Sequence, residues 1–111
     1  MNVTTETNKG IVVVFVKEER LDANNSEELK AELNHLFENG SKDVIVDLKE
    51  VRFIDSSGLG VLVSGFKNAS TRQGSLKLSA LQTQVKSMFE LTRLQRVFDI
   101  FSTVDDALES F

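Results

Sequence analysis

The chain has 111 residues, a formal net charge of −4, 41% hydrophobic and 27% charged residues, and no cysteine. This composition is typical of one globular domain, and it excludes disulfide frameworks, zinc–thiolate sites and cysteine nucleophiles. Nucleic-acid binding is also disfavoured, because phosphate backbones repel an acidic surface and the sequence has no Lys/Arg cluster.

The N-terminal segment, Met1 to Glu6, lacks the basic and apolar regions of a signal peptide. The longest unbroken apolar run, Ile11 to Val16, is far shorter than the roughly 18 residues that indicate a membrane span. We therefore expect a cytoplasmic protein without a membrane-spanning segment. Nothing in the sequence calls for a cofactor, a metal ion or an oligomer, so we expect a monomer.

The first half of the chain predicts a hairpin and then a strand–helix–strand unit. Val3 to Thr7 is expected as an edge strand, and a turn leads from it into the β-branched strand Ile11 to Val16. A helix should follow and end at Asn39–Gly40. Its candidate N-caps are Asn24, Asn25 and Ser26, and its apolar stripe is Leu29, Leu33, Leu36 and Phe37. Asp43 to Leu48 is then predicted as a parallel strand covered on both faces, because its apolar run is continuous.

The second half continues this alternation. A helix is predicted from near Ser57 to Ala69 or Thr71, followed by a parallel strand at Ser75 to Ser79. A third helix capped by Thr83 and a short strand at Val97 to Phe101 come next. The third helix carries Val85, Met88 and Phe89, and the last helix follows a capping box at 102–105 and carries Val104, Ala107, Leu108 and Phe111. Together they predict an α/β fold: one domain, residues 1–111, with a mixed, mostly parallel sheet of four or five strands and about four helices.

The most informative stretch is the start of the second helix, where Asp55, Ser56, Ser57 and Gly58 precede an apolar run. A helix start has unpaired N–H groups and a partial positive charge, so it accepts negative charge readily. A serine hydroxyl there is a good position for a phosphate. Helix capping alone also explains these residue types, because Asp and Ser side chains accept hydrogen bonds from the first N–H groups.

The same helix has no charged residue between Ser57 and Phe66. At 100° per residue, one side is the expected core face, formed by Leu59, Leu62, Val63 and Phe66. The other side holds Gly60, Val61, Ser64 and Asn68. Small, uncharged residues on an exposed face predict a docking surface, because charged residues are depleted at the centres of interfaces. Burial of both faces within the domain is the competing interpretation.

Enzyme signatures are incomplete. Gly58 and Gly60 begin a dinucleotide-binding fingerprint, but Val63 occupies the third glycine position and no P-loop lysine follows. Ser57 lies outside a nucleophile elbow, and the lone His35 is expected to face solvent. Three aspartates follow or begin strands, and these are Asp43, Asp47 and Asp55. Such residues more often cap loops than bind a metal ion, so we favour a binding module over an enzyme; a small hydrolase using Ser57 is the enzymatic alternative.

At this motif a family resemblance becomes specific. Residues 44–68, with Asp-Ser-Ser-Gly-Leu-Gly at 55–60, closely resemble the signature of the STAS-domain anti-sigma factor antagonists of bacteria. The Leu21–Ala23 turn and the final helix, Ser102 to Phe111, are similar to the family's as well. Glu19 is a departure, because members often have glycine there.

The resemblance implies partner switching. In this family the unphosphorylated protein binds an anti-sigma factor that is also a serine kinase of the histidine-kinase-like ATPase fold, and a sigma factor is released. The kinase then phosphorylates a serine of the motif, and a metal-dependent serine phosphatase reverses the reaction. Ser57 aligns with the family's acceptor, Ser56 is the fallback, and Asp22 and Asp55 match acidic positions used in partner contact. The full set expected to bind the partner is Asp22, Asp55, Ser56, Gly58, Gly60, Val61, Ser64 and Asn68.

A second class of function stays open at this point. The chain could be a ligand-responsive STAS module that binds a nucleotide or a lipid, or a soluble subunit of a transport system. The net negative charge of the chain weighs against nucleotide binding, since Arg52 is the one basic residue near the start of the second helix.

Overall fold

A five-stranded sheet organises the chain, and the computed structural model describes residues 1–111. The strands are β1 (Val3–Asn8), β2 (Ile11–Val16), β3 (Arg20–Leu21), β4 (Asp43–Asp47), β5 (Phe53–Ile54), β6 (Ser75–Ser79) and β7 (Ile100–Phe101). The helices are α1 (Ser26–Glu38), α2 (Ser56–Thr71), α3 (Thr83–Leu91) and α4 (Val104–Glu109). This composition of elements confirms the predicted α/β fold.

The main sheet has the strand order β1-β2-β4-β6-β7. β1 and β2 form the predicted antiparallel hairpin, in which Asn8 pairs with Ile11. Lys9 and Gly10 make the turn at φ values of 52° and 83°, a left-handed geometry that suits the twist of a hairpin. The other pairs of this sheet are parallel, which confirms the strand–helix–strand unit.

Strand alternation divides the core between the two faces of the sheet. The larger cluster joins Val12, Val14, Val44, Val46, Leu76 and Leu78 of the strands to Leu29, Leu33, Leu62, Val85 and Phe89 of α1, α2 and α3. The smaller cluster joins Ile11, Val13 and Ile45 to Ala107 of α4. The central strand β4 is therefore buried on both faces, as its continuous apolar run predicted.

A separate two-stranded pair positions the start of α2. β3 and β5 are parallel, with Arg20 opposite Phe53 and Leu21 opposite Ile54. This pairing sets the turn that precedes α1 beside the turn that precedes α2. Glu19 supports it, since its carbonyl oxygen accepts hydrogen bonds from the N–H groups of Arg52 (2.7 Å) and Phe53 (3.1 Å). Glu19 does not need the positive φ that would favour glycine.

Three local predictions in the C-terminal part of the chain need correction. The final strand is shorter than Val97 to Phe101, because residues 94–96 form a 3₁₀ helix and Phe98 packs edge-on against two other phenylalanine rings. Thr83 is the first residue of α3 and not its cap, a position taken by Gln82. The N-cap of α4 is Thr103, one residue later than the predicted capping box implies, since Thr103 Oγ1 accepts a hydrogen bond from the N–H of Asp106 at 3.1 Å.

Candidate functional site

The start of α2 is fixed by Asp55. Its Oδ1 accepts a hydrogen bond from the Gly58 N–H (3.1 Å), which makes Asp55 the N-cap. Its Oδ2 accepts a second hydrogen bond from the Ala23 N–H (3.3 Å) in the turn before α1. One carboxylate therefore joins the starts of two helices that are far apart in sequence. The helix begins at Ser56, one residue earlier than predicted.

Asp22 organises the neighbouring turn. Its Oδ1 accepts a hydrogen bond from the Asn24 N–H (2.9 Å), and its own N–H donates to Asn25 Oδ1 (3.0 Å). Its carbonyl oxygen accepts from the N–H of Ser26, the first residue of α1 (2.8 Å). Asp22 and Asp55 are half-buried and lie on adjoining turns, so the two acidic residues singled out from the sequence are brought to one end of the domain.

A shallow groove of about 280 Å³ lies between the first turns of α1 and α2. We call it the Ser57 groove, and its lining residues are Ala23, Ser26, Glu27 and Lys30 from the α1 side and Ser57, Gly60, Val61 and Ser64 from α2. Ser57 is half-exposed at its rim, whereas Ser56 is exposed and does not line the groove. Both hydroxyl-bearing residues are therefore within reach of solvent.

Gly58 faces away from this groove and is buried. A Cβ at this position would lie 2.5 Å from the carbonyl oxygen of Leu21 and 2.8 Å from Cγ1 of Ile54. Glycine is therefore required here so that α2 can begin directly against the β3–β5 pair. A buried position of this kind supports the helix start and offers little area to a partner.

Val61 contradicts the prediction of an outward-facing residue. It is 5% exposed and belongs to the larger core cluster, forming the floor of the groove. The reason is that α2 contacts both the sheet and α1, so its buried arc is wider than one face. Gly65 shows the same double contact, because a Cβ there would lie 2.9 Å from Leu76 Cδ1 and 3.1 Å from Leu33 Cδ1. The competing interpretation, burial of both faces, is thus correct for these positions.

The rest of the expected docking face is divided. Gly60 is exposed, with nothing within 4 Å of an added Cβ, and Ser64 is half-exposed on the groove. Asn68 instead ties α2 to α1: its Nδ2 donates to Asn34 Oδ1 (3.1 Å) and its Oδ1 accepts from Arg72 Nε (3.0 Å). The open part of the face therefore ends at Ser64, in the N-terminal part of the helix.

Sequence reasoning missed the contribution of α1 and of β5 to this end of the molecule. Lys30 and Glu27 supply a cation and an anion to the groove wall. Phe53 is 40% exposed just before Asp55, and the Arg20 guanidinium carbon lies 4.6 Å from its ring centroid. The alternation of charge and Leu along α1 predicted a helix, but no local pattern predicted the register in which α1 meets α2.

The other candidate residues lie elsewhere and have structural partners. His35 is exposed on α1, as expected. Asp47 is buried, and its carboxylate accepts hydrogen bonds from Ser79 Oγ (3.0 Å) and from the Lys49 N–H (3.0 Å). The structure brings no three metal-ligating side chains of His, Cys, Asp or Glu together. None of its helices has the length and apolar character needed to cross a membrane.

Several known proteins are similar to this chain in sequence or in fold. The family model described as STAS domain matches residues 2–107. The anti-sigma-B factor antagonist of Bacillus subtilis (strain 168) is 35% identical over 100 residues, covering 90% of each protein. A crystal structure of an anti-sigma factor antagonist from Mycobacterium paratuberculosis has a TM-score of 0.89 at 23% identity, over 98% of this chain and 92% of the other. The Bacillus cell fate determinant SpoIIAA, in its phosphorylated form, has a TM-score of 0.76 at 19% identity, over 98% of both chains. From the family match over nearly the whole chain and from the 35% identical relative, we conclude that this chain belongs to the STAS domain family.

Proposed function

We propose that this protein is an anti-sigma factor antagonist that works by partner switching in the cytoplasm, with residues 1–111 acting as one STAS domain. Unphosphorylated, it binds an anti-sigma factor that is also a serine kinase of the histidine-kinase-like ATPase fold, which frees a sigma factor. The protein contributes binding, and the catalysis belongs to its partners. It thereby regulates transcription indirectly.

The covalent step takes place on Ser57. The kinase transfers the γ-phosphoryl group of ATP to Ser57 Oγ, so the bond between that group and ADP breaks and the hydroxyl proton is lost. The phosphorylated protein then leaves the complex. A serine phosphatase restores the hydroxyl by hydrolysis, in which water takes the phosphoryl group away as inorganic phosphate.

The observation that carries the proposal is the half-exposed Ser57 in the first turn of α2, on the rim of the Ser57 groove. Exposure alone favours Ser56, which is more open to solvent. Ser57 is preferred because it opens onto the groove, whose α2 side, with Gly60 and Ser64, carries no charge to obstruct a docked partner. A partner that covers the groove would bury the Ser57 hydroxyl within the contact.

Relatives support the same function. The Bacillus subtilis relative carries the name anti-sigma-B factor antagonist. SpoIIAA, which shares the fold, is described in both a phosphorylated and an unphosphorylated form. A protein of this fold that occurs in both forms is consistent with a switch based on reversible phosphorylation.

Charge explains how the modification would separate the partners. A phosphate adds about −1.5 to −2 charges and three strong acceptor oxygens. Within the chain this charge lies at a helix N-terminus, which tolerates it, so the fold should persist. Across an interface the same charge must be desolvated beside Asp22 and Asp55. A loss of about 2.8 kcal/mol of binding free energy is enough to weaken affinity about a hundredfold.

The test is to incubate the protein with its cognate kinase and ATP and to locate the phosphate by intact-mass and peptide mass spectrometry. We expect one phosphate on the wild-type protein and on Ser56→Ala, and none on Ser57→Ala. The Ser56→Ala variant is the matched control, because it removes the neighbouring and more exposed hydroxyl.

The possible outcomes separate the assignments. Phosphorylation of Ser57→Ala at the wild-type rate, with loss in Ser56→Ala, would move the acceptor to Ser56. The proposal would be overturned if the protein neither bound the kinase nor became phosphorylated. Binding of an added nucleotide or lipid by that protein would then favour the ligand-binding alternative.

A further inference from the structure

Lys30 is the one cation that lines the Ser57 groove. It lies on the first turns of α1, one turn after Ser26, which is 3% exposed in the groove floor. Its side chain is half-exposed, and its ammonium group makes no ion pair with a carboxylate of the chain. A lysine without an anionic partner therefore faces the same small groove as the Ser57 hydroxyl.

The other charge that lines the groove is negative. Glu27 supplies this charge from α1, and the carboxylates of Asp55 and Asp22 belong to the turns that begin α2 and α1. The carboxylate of Asp55 is already hydrogen-bonded to the N–H groups of Gly58 and Ala23. A phosphate on Ser57 would thus share the groove with one anion, Glu27, and one cation, Lys30.

We propose that Lys30 is the internal counter-ion of a phosphate on Ser57, an inference that rests on the proposed function of that serine. The ammonium group pairs with the phosphate oxygens across the groove and holds the dianion between α1 and α2. Lys30 is a positioning residue: it takes no part in forming or breaking the P–O bond. In the phosphorylated protein the groove is filled by this ion pair, and the surface offered to the partner is closed.

The ionisation of the phosphate reports this pairing directly. The second pKa of a phosphoserine is about 6, and a nearby cation lowers it, because the cation stabilises the dianion more than the monoanion. A nearby carboxylate raises it for the opposite reason. Lys30 and Glu27 lie on one helix and line one groove. Removing the charge of Lys30 should therefore raise the phosphate pKa, and removing the charge of Glu27 should lower it.

The experiment places phosphoserine at position 57 of the full chain during synthesis, without the kinase, and follows the phosphate by ³¹P NMR across a pH titration. Lys30→Gln should raise the phosphate pKa by about half a unit, and Glu27→Gln should lower it by a similar amount. Lys30→Arg should restore the wild-type value. Lys67→Gln is the control of equal charge change, because Lys67 is exposed about 15 Å farther along α2.

The result distinguishes this inference from the function on which it rests. If Lys30→Gln and Lys67→Gln leave the same phosphate pKa, Lys30 is not the counter-ion, whatever the kinase does. If the shifts appear as expected but the cognate kinase does not modify Ser57, the pairing stands and the proposed function fails. Thermal unfolding of each variant shows that a changed pKa does not arise from a disrupted fold.

Discussion

The two sides of helix α2 near its start use small residues for opposite reasons. Toward the β3–β5 pair, Gly58 is buried, and a Cβ there would lie 2.5 Å from the Leu21 carbonyl oxygen. Toward solvent, Gly60 is exposed, and a Cβ would meet nothing within 4 Å. Close packing requires a glycine at position 58, whereas the glycine at position 60 leaves the surface of the helix open.

The contrast continues one turn later. Val61 is 5% exposed and forms the groove floor, while Ser64 is half-exposed on the groove wall. The absence of charged residues on one face of a helix therefore does not show that this face is exposed to a partner. Which positions are available to a partner is decided by what packs against the helix, here the sheet on one side and α1 on another.

The largest expected difference in stability is between two single lysine substitutions, one at the buried Val61 and one at the half-exposed Ser64. Val61→Lys places a charge at a buried site without a partner, and we expect a loss of about 3 kcal/mol or more in the free energy of unfolding. Ser64→Lys can extend its ammonium group into solvent, so it should change stability by less than about 0.5 kcal/mol. Urea denaturation followed by circular dichroism measures both.

The same pair also tests docking. Ser64→Lys should remain folded and bind the partner kinase weakly, because a long charged side chain obstructs the groove. If Val61→Lys were as stable as Ser64→Lys, the two sides of the helix would not differ as described. If Ser64→Lys bound as tightly as the wild type, the groove would not be part of the docking surface.

A smaller effect should separate the two glycines. Gly58→Ala forces a Cβ against a backbone carbonyl that cannot rotate away, and overpacking of this kind costs about 1–3 kcal/mol. Gly60→Ala adds a methyl group to open space in a helix, so it should stabilise the fold by about 0.5–1 kcal/mol. Equal stabilities in urea would show that α2 is not in close contact with Leu21.

Much of the fold could be predicted from local patterns. The hairpin turn at Lys9–Gly10, the two-sided burial of β4 and the helical stripe of α1 each follow from residue type and spacing. The β3–β5 pair could not, because each strand has two residues, too few to show a period. The final strand was predicted to be too long for a similar reason. The short, mostly apolar segment from Val97 to Phe101 does not show that a 3₁₀ helix precedes it and that the strand starts only at Ile100.

The site was predictable in part. The Asp55–Gly58 motif placed a helix start and a hydroxyl together, and the structure has both there. The sequence left the burial of Val61 open as the competing interpretation, because a projection at 100° per residue does not show what packs against each side of the helix. The presence of Lys30 opposite Ser57 depends on the packing of α1 on α2, which joins residues far apart in the chain.

The most direct test of the central claim is a calorimetric titration of the partner kinase into two forms of the protein, one unmodified and one with phosphoserine at position 57. A non-hydrolysable ATP analogue keeps the unmodified form unphosphorylated during the measurement. We predict that the phosphorylated form binds at least about a hundredfold more weakly, a difference of about 2.8 kcal/mol, while both forms unfold at nearly the same temperature. Equal affinities for the two forms would contradict the account.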